Sequence, residues 1–305
     1  MTREELNKDI RAKVSSESNK ENTKKAVKTI IKSLVIIAIL GTLFFTYTTY
    51  VSTAKVGVRE YRIINEKIPD NFNGLKIVQM SDLHYGSTMF NKDVKKIVNL
   101  INDRKPDIVV FTGDLINKNY NLDSKEQEEL INNLKSISTT INKYAVLGDE
   151  DNEKIATIFN QSNFIILRDE SDLIYNSTTN PILLVGINTR SKEPNIDKAY
   201  SYFKEPTHNA NIYTIGLLHE PDTVDNILNV YPTDLFLAGH SHNGTIRIPF
   251  LKYPLIKEEN AIKYNQDYYK LNSSELYISS GLGSEKGIRL FCRPSINFFR
   301  LSNKS

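Results

Sequence analysis

The chain has one cysteine, five histidines and, beyond its first segment, almost no net charge. Each scarcity excludes something. A lone Cys292 cannot close an internal disulfide, so it says nothing about redox compartment; its apolar neighbours mark it as a small core residue. The 305 residues carry 39 Lys/Arg and 36 Asp/Glu. Residues 1–32 hold nine of the basic and five of the acidic ones, leaving 30 against 31 in the remainder, a net charge of −1. A near-neutral body lacks the basic face that neutralises phosphate backbones, which argues against a nucleic-acid partner. There is no internal repeat and no low-complexity linker after residue 55, so the remainder reads as one domain. No twin arginine is present, which argues against a Tat signal.

Charge is missing altogether from Ser33 to Ala54, "SLVIIAILGTLFFTYTTYVSTA". Spanning a bilayer core takes about 20 apolar residues, so this run is long enough. Tyr47 and Tyr50 sit at its outgoing end, as interfacial aromatics do. Lys20, Lys24, Lys25, Lys28 and Lys32 precede it, and Lys55, Arg59 and Arg62 follow. That bias places the N-terminus in the cytoplasm and the bulk of the chain outside a cell membrane crossed once. A cleaved signal peptide is the rival reading: Ser52 and Ala54 suit a cleavage site, but the polar leader of 32 residues is long for one. The chain thus divides into a polar cytoplasmic tail, 1–32, whose first 28 residues have a disordered composition; a transmembrane helix, 33–54; and a globular domain, 55–305.

In that domain strand-like apolar runs (75–80, 108–111, 144–147, 182–186, 212–218 and 235–238) alternate with helical patterns such as "NKDVKKIVNLIND" and "SKEQEELINNLKSI". Alternation of this kind predicts a sheet with helices packed on it. The end of the chain, "ELYISSG" and "GIRLFCRPSINFFRL", is richer in strand.

Polar residues gather where the strands stop. "LKIVQMSDLH" ends in Asp82 and His84, "DIVVFTGD" in Asp114, "YAVLGDED" in Asp149, Glu150 and Asp151, "IYTIGLLHEPD" reaches His219, and "DLFLAGHSH" ends in His240 and His242. Four of the five histidines lie in these motifs, and His208 stays structural by default. A lone strand-end histidine or a lone Gly-Asp is a weak signal; the set is not, because ligands of open α/β sheets bind at the carboxyl ends of strands. In Asp82-Leu-His84 and His240-Ser-His242, residues two apart would face one site if the backbone is extended. Gly113, Gly148 and Gly239 would let the backbone turn sharply after each strand.

"SDLH", "GDLIN", "GDED", "LLHEPD" and "GHSHNGTIRIP" stand in the order of the motifs of the calcineurin-like metallophosphoesterases, and residues 72–303 resemble that family, in particular its membrane-associated bacterial branch. The resemblance implies a four-layer αββα sandwich, an α/β fold, holding two divalent ions (Mn, Fe or Zn). It implies that Asp82, His84 and His242 hold one ion, that Asp149, His219 and His240 hold the other, that Asp114 bridges both and serves catalysis, and that Asn117 orients ligands from behind. The implied activity is hydrolysis of a phosphomonoester, phosphodiester or pyrophosphate by metal-activated water, and the anchor points to a lipid-linked or cell-envelope substrate.

The third motif departs from the family, whose pattern there is Gly-Asn-His-Asp. Asp149 replaces a neutral ligand with a carboxylate, which binds a metal more strongly but lowers its Lewis acidity. Glu150 occupies the place of the family's proton-donating histidine, so it is the second catalytic candidate, and a carboxylate there repels phosphate unless protonated. Asp151 beside it is expected to act on Glu150 through its charge. The departure motivates a second reading, a non-catalytic metal- or phospholipid-binding homologue with a degenerate GDED motif. Asn243-Gly244-Thr245 and Ser295 also differ from the branch, at positions that concern substrate rather than chemistry.

Overall fold

The computed structural model describes residues 3–304 except 53–54, 249, 252–253, 256–257 and 286; of residues 5, 9, 12, 50 and 51 it describes the backbone. The chain forms two compact units, residues 1–50 and 51–305.

In the first unit, helix α1 (Arg3–Thr46) is continued by a π-helical turn, Tyr47–Val51. The expected disorder of residues 1–28 is not what the described residues adopt. No glycine or proline occurs before Gly41, and Lys, Glu, Arg and Ala lose little on entering a helix. Lys25 pairs with Glu21 at 2.8 Å one turn away. A stretch of this helix is apolar enough, at a mean hydropathy of 2.1, to cross a membrane. The last two residues of the expected span, 53–54, and the Tyr50 side chain lie outside the described residues.

The second unit is built on two six-stranded sheets. The first runs β1 (Gly57–Ile64), β12 (Ser295–Ser302), β2 (Lys76–Met80), β3 (Ile108–Thr112), β4 (Asn142–Val146), β5 (Ile165–Ile166). The second runs β10 (Tyr268–Leu271), β11 (Ser274–Ile278), β9 (Leu235–Ala238), β8 (Thr214–Leu217), β7 (Ile182–Gly186), β6 (Glu170–Ile174). All six apolar runs of the sequence are strands, and the central ones pair in parallel: β2 with β3 and β3 with β4, β7 with β8 and β8 with β9. Their carboxyl ends therefore point the same way within each sheet.

Helices α2 (Asn91–Asn102), α3 (Ser124–Lys135) and α4 (Glu153–Gln161) cover the outer face of the first sheet. In α2, Val94, Ile97, Val98 and Ile101 are buried, one apolar stripe of helical period. Asp123 opens α3 with a capping box closed by Glu126, and Asn152 caps α4 through the backbone N–H groups of Lys154 and Ile155. The short helices α5 (Ile196–Ala199) and α6 (Val224–Leu228) cover the second sheet. A third core, with Ile77, Val110 and Tyr144 from one sheet and Leu184, Ile215 and Leu237 from the other, joins the two inner faces. The order of layers is αββα. Each fully buried aliphatic side chain in these cores contributes about 1.5–3 kcal/mol of transfer free energy.

One C-terminal expectation needs correction. In "GIRLFCRPSINFFRL" only the second half is strand; residues 287–294 form a loop tied by an isolated bridge between Leu290 and Ile246. The fully buried Arg289 explains it. Its guanidinium donates to the carbonyls of Ser280 (2.7 Å), Cys292 and Gly283, winding the loop around itself rather than along a neighbouring strand. Cys292 is buried as expected, its Sγ 3.1 Å from the carbonyl of His242.

Candidate metal centre

The carboxyl ends of β2, β3 and β4 meet those of β8 and β9 across the sandwich. Gln79, fully buried on β2, reaches over to donate to the carbonyl of Ala238 on β9 at 2.8 Å. The ends of the two sheets are thereby fixed against each other, and the loops that leave them share one cleft of about 230 Å³.

Among the described residues three overlapping groups of ligand-type side chains lie at that cleft: Asp82, His84 and His242; Asp114, Asp149, His219 and His240; and His84, Asp114 and Glu150. Within the first, His242 Nε2 lies 3.3 Å from Asp82 Oδ1 and 3.2 Å from His84 Nε2. Within the second, His219 Nε2 lies 3.0 Å from Asp149 Oδ1 and 3.1 Å from His240 Nδ1, and Asp149 Oδ1 is 3.2 Å from His240 Nδ1. Asp114 Oδ2 stands between the groups, 3.3 Å from His219 Nε2 and 3.8 Å from His84 Nε2.

These spacings are those of ligand atoms around a shared ion. Bonds of about 2.0–2.2 Å at tetrahedral to octahedral angles put neighbouring ligand atoms about 2.8–3.6 Å apart. The buried Asp82 Oδ2 and the Nδ1 atoms of His84 and His242 have no hydrogen-bond partner. Buried polar atoms rarely go unsatisfied, so Asp82 Oδ2 indicates a missing partner; the two imidazoles face the group with Nε2, and their Nδ1 atoms do not bear on the ion. The cleft wall also carries Asp114, Asp149, Glu150, Glu258, Glu259 and Glu285 against Lys118, so without cations it would repel a phosphate. The residues fit divalent ions by donor type, spacing and charge.

The titrating groups give the same answer. Burial alone would push the Asp82 carboxyl up, but His242, His219 and His84 hold it well below the ordinary range. Burial raises the Asp149 carboxyl, and His219 and His240 overcome this and hold it low. Burial pushes the His219 imidazole down, yet Asp114 and Asp149 raise it well above its usual value. Protons on His219, His84 and His240 thus occupy the place of metal charge, whereas burial pushes the His242 imidazole down.

The local backbone differs from the sequence expectation. Asp82-Leu-His84 and His240-Ser-His242 are not extended: φ is +49° at Asp82, +41° at His84, +62° at His240 and +49° at His242, and Asp114 has +60°. Five ligand-type residues sit in left-handed conformation, which aims each side chain inward from a tight turn rather than from a pleat. The glycines act chiefly by having no side chain. A Cβ on Gly148 would lie 2.0 Å from Asp114 Oδ1, and one on Gly239 would lie 2.8 Å from Asp82 Oδ2; of these two and Gly113, only Gly113 has a positive φ, +93°.

Asn117 is buried beside the cleft, and its side chain accepts from the backbone N–H of Asn119 at 3.1 Å, a turn contact rather than a ligand contact. His208 lies elsewhere, stacked on Tyr202 with ring centroids 4.3 Å apart. Asp151 holds the loops that carry Asp114 and Asp149. Its carboxylate accepts from the backbone N–H groups of Gly148 (2.8 Å), Asp114 (2.9 Å) and Leu115 (3.0 Å). Burial, with the Asp114 charge, pushes its carboxyl up to about 6. Sequence reasoning missed this tie and missed Lys118. The third acid of "GDED" was a signal for the first; nothing in the local pattern marks the second.

A family model described as calcineurin-like phosphoesterase matches residues 75–244. The chain belongs to that family and is a metallophosphoesterase of its bacterial branch. It is similar to the metallophosphoesterase YkuE of Bacillus subtilis, 27% identical over 267 residues covering 85% of this chain and 90% of that one. Phosphodiesterase YaeI of Escherichia coli is 26% identical over 241 residues, 76% of this chain and 84% of that one. UDP-2,3-diacylglucosamine pyrophosphatase LpxG of Chlamydia trachomatis is 28% identical over 285 residues, 76% of this chain and 85% of that one.

Proposed function

We propose that this chain is a membrane-anchored hydrolase of a phosphomonoester, phosphodiester or pyrophosphate, working with two divalent ions on a lipid-linked or cell-envelope substrate. The observation that carries the reading is the two ligand groups at one cleft with Asp114 Oδ2 between them, near His219 of one and His84 of the other. Asp82, His84 and His242 would hold one ion, Asp149, His219 and His240 the other, and Asp114 both. The mixed imidazole and carboxylate set suits Mn, Fe or Zn. When bound, the ions supply Lewis-acid charge on the phosphoryl oxygens and an acidified water.

The chain's own residues supply orientation. His219 presents Nε2 to the cleft because its Nδ1 donates to the carbonyl of Thr112 at 2.7 Å. His240 presents Nδ1 because its Nε2 is 2.5 Å from the carbonyl of Glu259. Lys118 places a cation on the cleft wall, where it would meet a substrate phosphate. The lipid-linked substrate is supported by the apolar stretch of α1 and by the likeness to a diacylglucosamine pyrophosphatase. The apolar helix and the lysines before it also support an N-terminus in the cytoplasm and a catalytic domain outside.

The test is hydrolysis of bis-p-nitrophenyl phosphate and p-nitrophenyl phosphate by the Mn²⁺-loaded protein beside its Asp114→Asn variant. Loss of at least about 100-fold in the variant is expected from an ion-bridging carboxylate. Equal rates in both proteins, or none in either with metal bound, would reject the enzyme reading.

A further inference from the structure

Among the four histidines of the centre, His219 and His240 have their outward nitrogen fixed by a backbone carbonyl, from Thr112 and Glu259. His84 has no such carbonyl. Its Nε2 faces the ligand groups, 3.2 Å from His242 Nε2 and 3.8 Å from Asp114 Oδ2, and its Nδ1 faces Glu150 Oε2 at 3.3 Å. The approach is that of an ion pair and stops short of an aligned hydrogen bond, which is why His84 Nδ1 stands without a partner. Glu150 is itself held. Its Oε2 accepts from the backbone N–H of Lys118 at 3.2 Å, and its Oε1 lies 3.2 Å from Lys118 Nζ. Lys118 Nζ is tied in turn to Glu285 at 2.8 Å. The Glu150 backbone N–H donates to Asp114 Oδ1 at 3.2 Å.

From this chain we infer that Glu150 is a positioning residue: its carboxylate holds the Nδ1–H tautomer of His84 and so turns Nε2 toward the metal, while its other oxygen keeps Lys118 at the mouth of the cleft. A histidine can offer only one nitrogen as a ligand, and a proton on the other settles which one. A carboxylate behind a ligating imidazole also makes it a better ligand. The close contacts of the Glu150 carboxylate are donors, the backbone N–H and Nζ of Lys118 and the His84 imidazole, beside one carboxylate, Asp114, in the same ligand-type group. In the proposed role position 150 orients a ligand instead of donating a proton. Small rotation of the His84 ring on binding an ion would close the misaligned contact. The inference rests on the proposed metal centre but not on turnover.

The test is Mn²⁺ titration of the full chain in detergent, by calorimetry and by the EPR signal of free Mn²⁺, for the wild type, Glu150→Ala and Glu150→Gln. Loss of an orienting partner costs about 10–100-fold in metal affinity, so Glu150→Ala should bind one Mn²⁺ equivalent more weakly by that factor. Glu150→Gln keeps an oxygen that accepts from Nδ1–H and should recover most of the loss. Its near-isosteric side chain also answers the case in which the alanine variant fails to fold. Unchanged affinity in Glu150→Ala, with activity lost on poor leaving groups but kept on nitrophenyl esters, would make Glu150 the proton donor and overturn the inference. A glutamine variant as weak as the alanine one would overturn it too, because the carboxylate would then be a direct ligand. If the wild type binds Mn²⁺ but hydrolyses nothing, the enzyme reading falls and the titration still decides the role of Glu150.

Discussion

Asp82, His84, Asp114, His240 and His242 hold a backbone conformation that costs a non-glycine residue about 1–2 kcal/mol. The cost is spread through the loops of the candidate centre and would be offset by ions held there. It has a measurable signature. In chelator, His84→Gly should be more stable than His84→Ala by about 0.5–1 kcal/mol, because glycine removes the strain and returns only part of the gain as chain entropy. Urea unfolding of the two metal-free variants compares them directly, and an alanine variant of equal or greater stability would show that the loop relaxes. The residues of the candidate centre were legible in the sequence because their chemical type announces them at strand ends. The left-handed turns were not, since Asp-x-His spacing is compatible with a pleat and with a turn alike. Nor was the direction of Glu150. Adjacency in sequence suggested interaction with Asp151, whereas Asp151 turns to three backbone N–H groups and Glu150 to His84 and Lys118.

Among the elements, β4 carries an unexpected cation. Lys143 is buried, and its Nζ donates to the carbonyls of Leu134 (3.0 Å) and Lys135 (3.3 Å) at the end of α3, and of Ser162 (2.7 Å) at the end of α4. One ammonium thus meets the negative ends of two helices. Burial, with Lys135 nearby, brings its pKa down to about 8, so it stays charged at neutral pH. Lys143→Met keeps the stem but strips these carbonyls of their donor, and should cost about 2–3 kcal/mol in urea unfolding at pH 7. A loss under about 0.5 kcal/mol would mean that water replaces the ammonium without penalty. The strands and long helices themselves were readable from apolar period. The order β1-β12-β2 was not, because it inserts the last strand between two of the first, and pairing at such separation leaves no local trace. The same limit hid Arg289, whose three backbone carbonyls come from residues that the fold alone brings around it.

For the whole molecule, charge in the centre sets how stability responds to pH. Burial opposes protonation of His219, His84 and His240, but the surrounding carboxylates raise all three above 6.5. Stability from a raised histidine is fully present below its unfolded value and is lost as pH climbs through the folded one. The Asp151 carboxyl, at about 6, has largely titrated by then, and Lys143, at about 8, still holds its proton for most of the climb. The metal-free protein should therefore lose melting temperature as pH climbs above about 6.5, and excess Mn²⁺ should flatten that loss by taking the protons' place. A metal-free melting temperature that is flat or rises over this climb would show that the carboxylates, not the histidines, give way.

The centre is drawn from both sheets, and His84 and His242, whose ring nitrogens stand 3.2 Å apart, are separated by 158 positions in the chain. Under the proposed ligand set, neither half of the chain alone would grip an ion as the folded centre would. The aspartates of the first sheet precede the histidines of the second in the chain, so the centre would close only once both sheets are in place, and the metal supply that matters would be that of the place where the chain finishes folding.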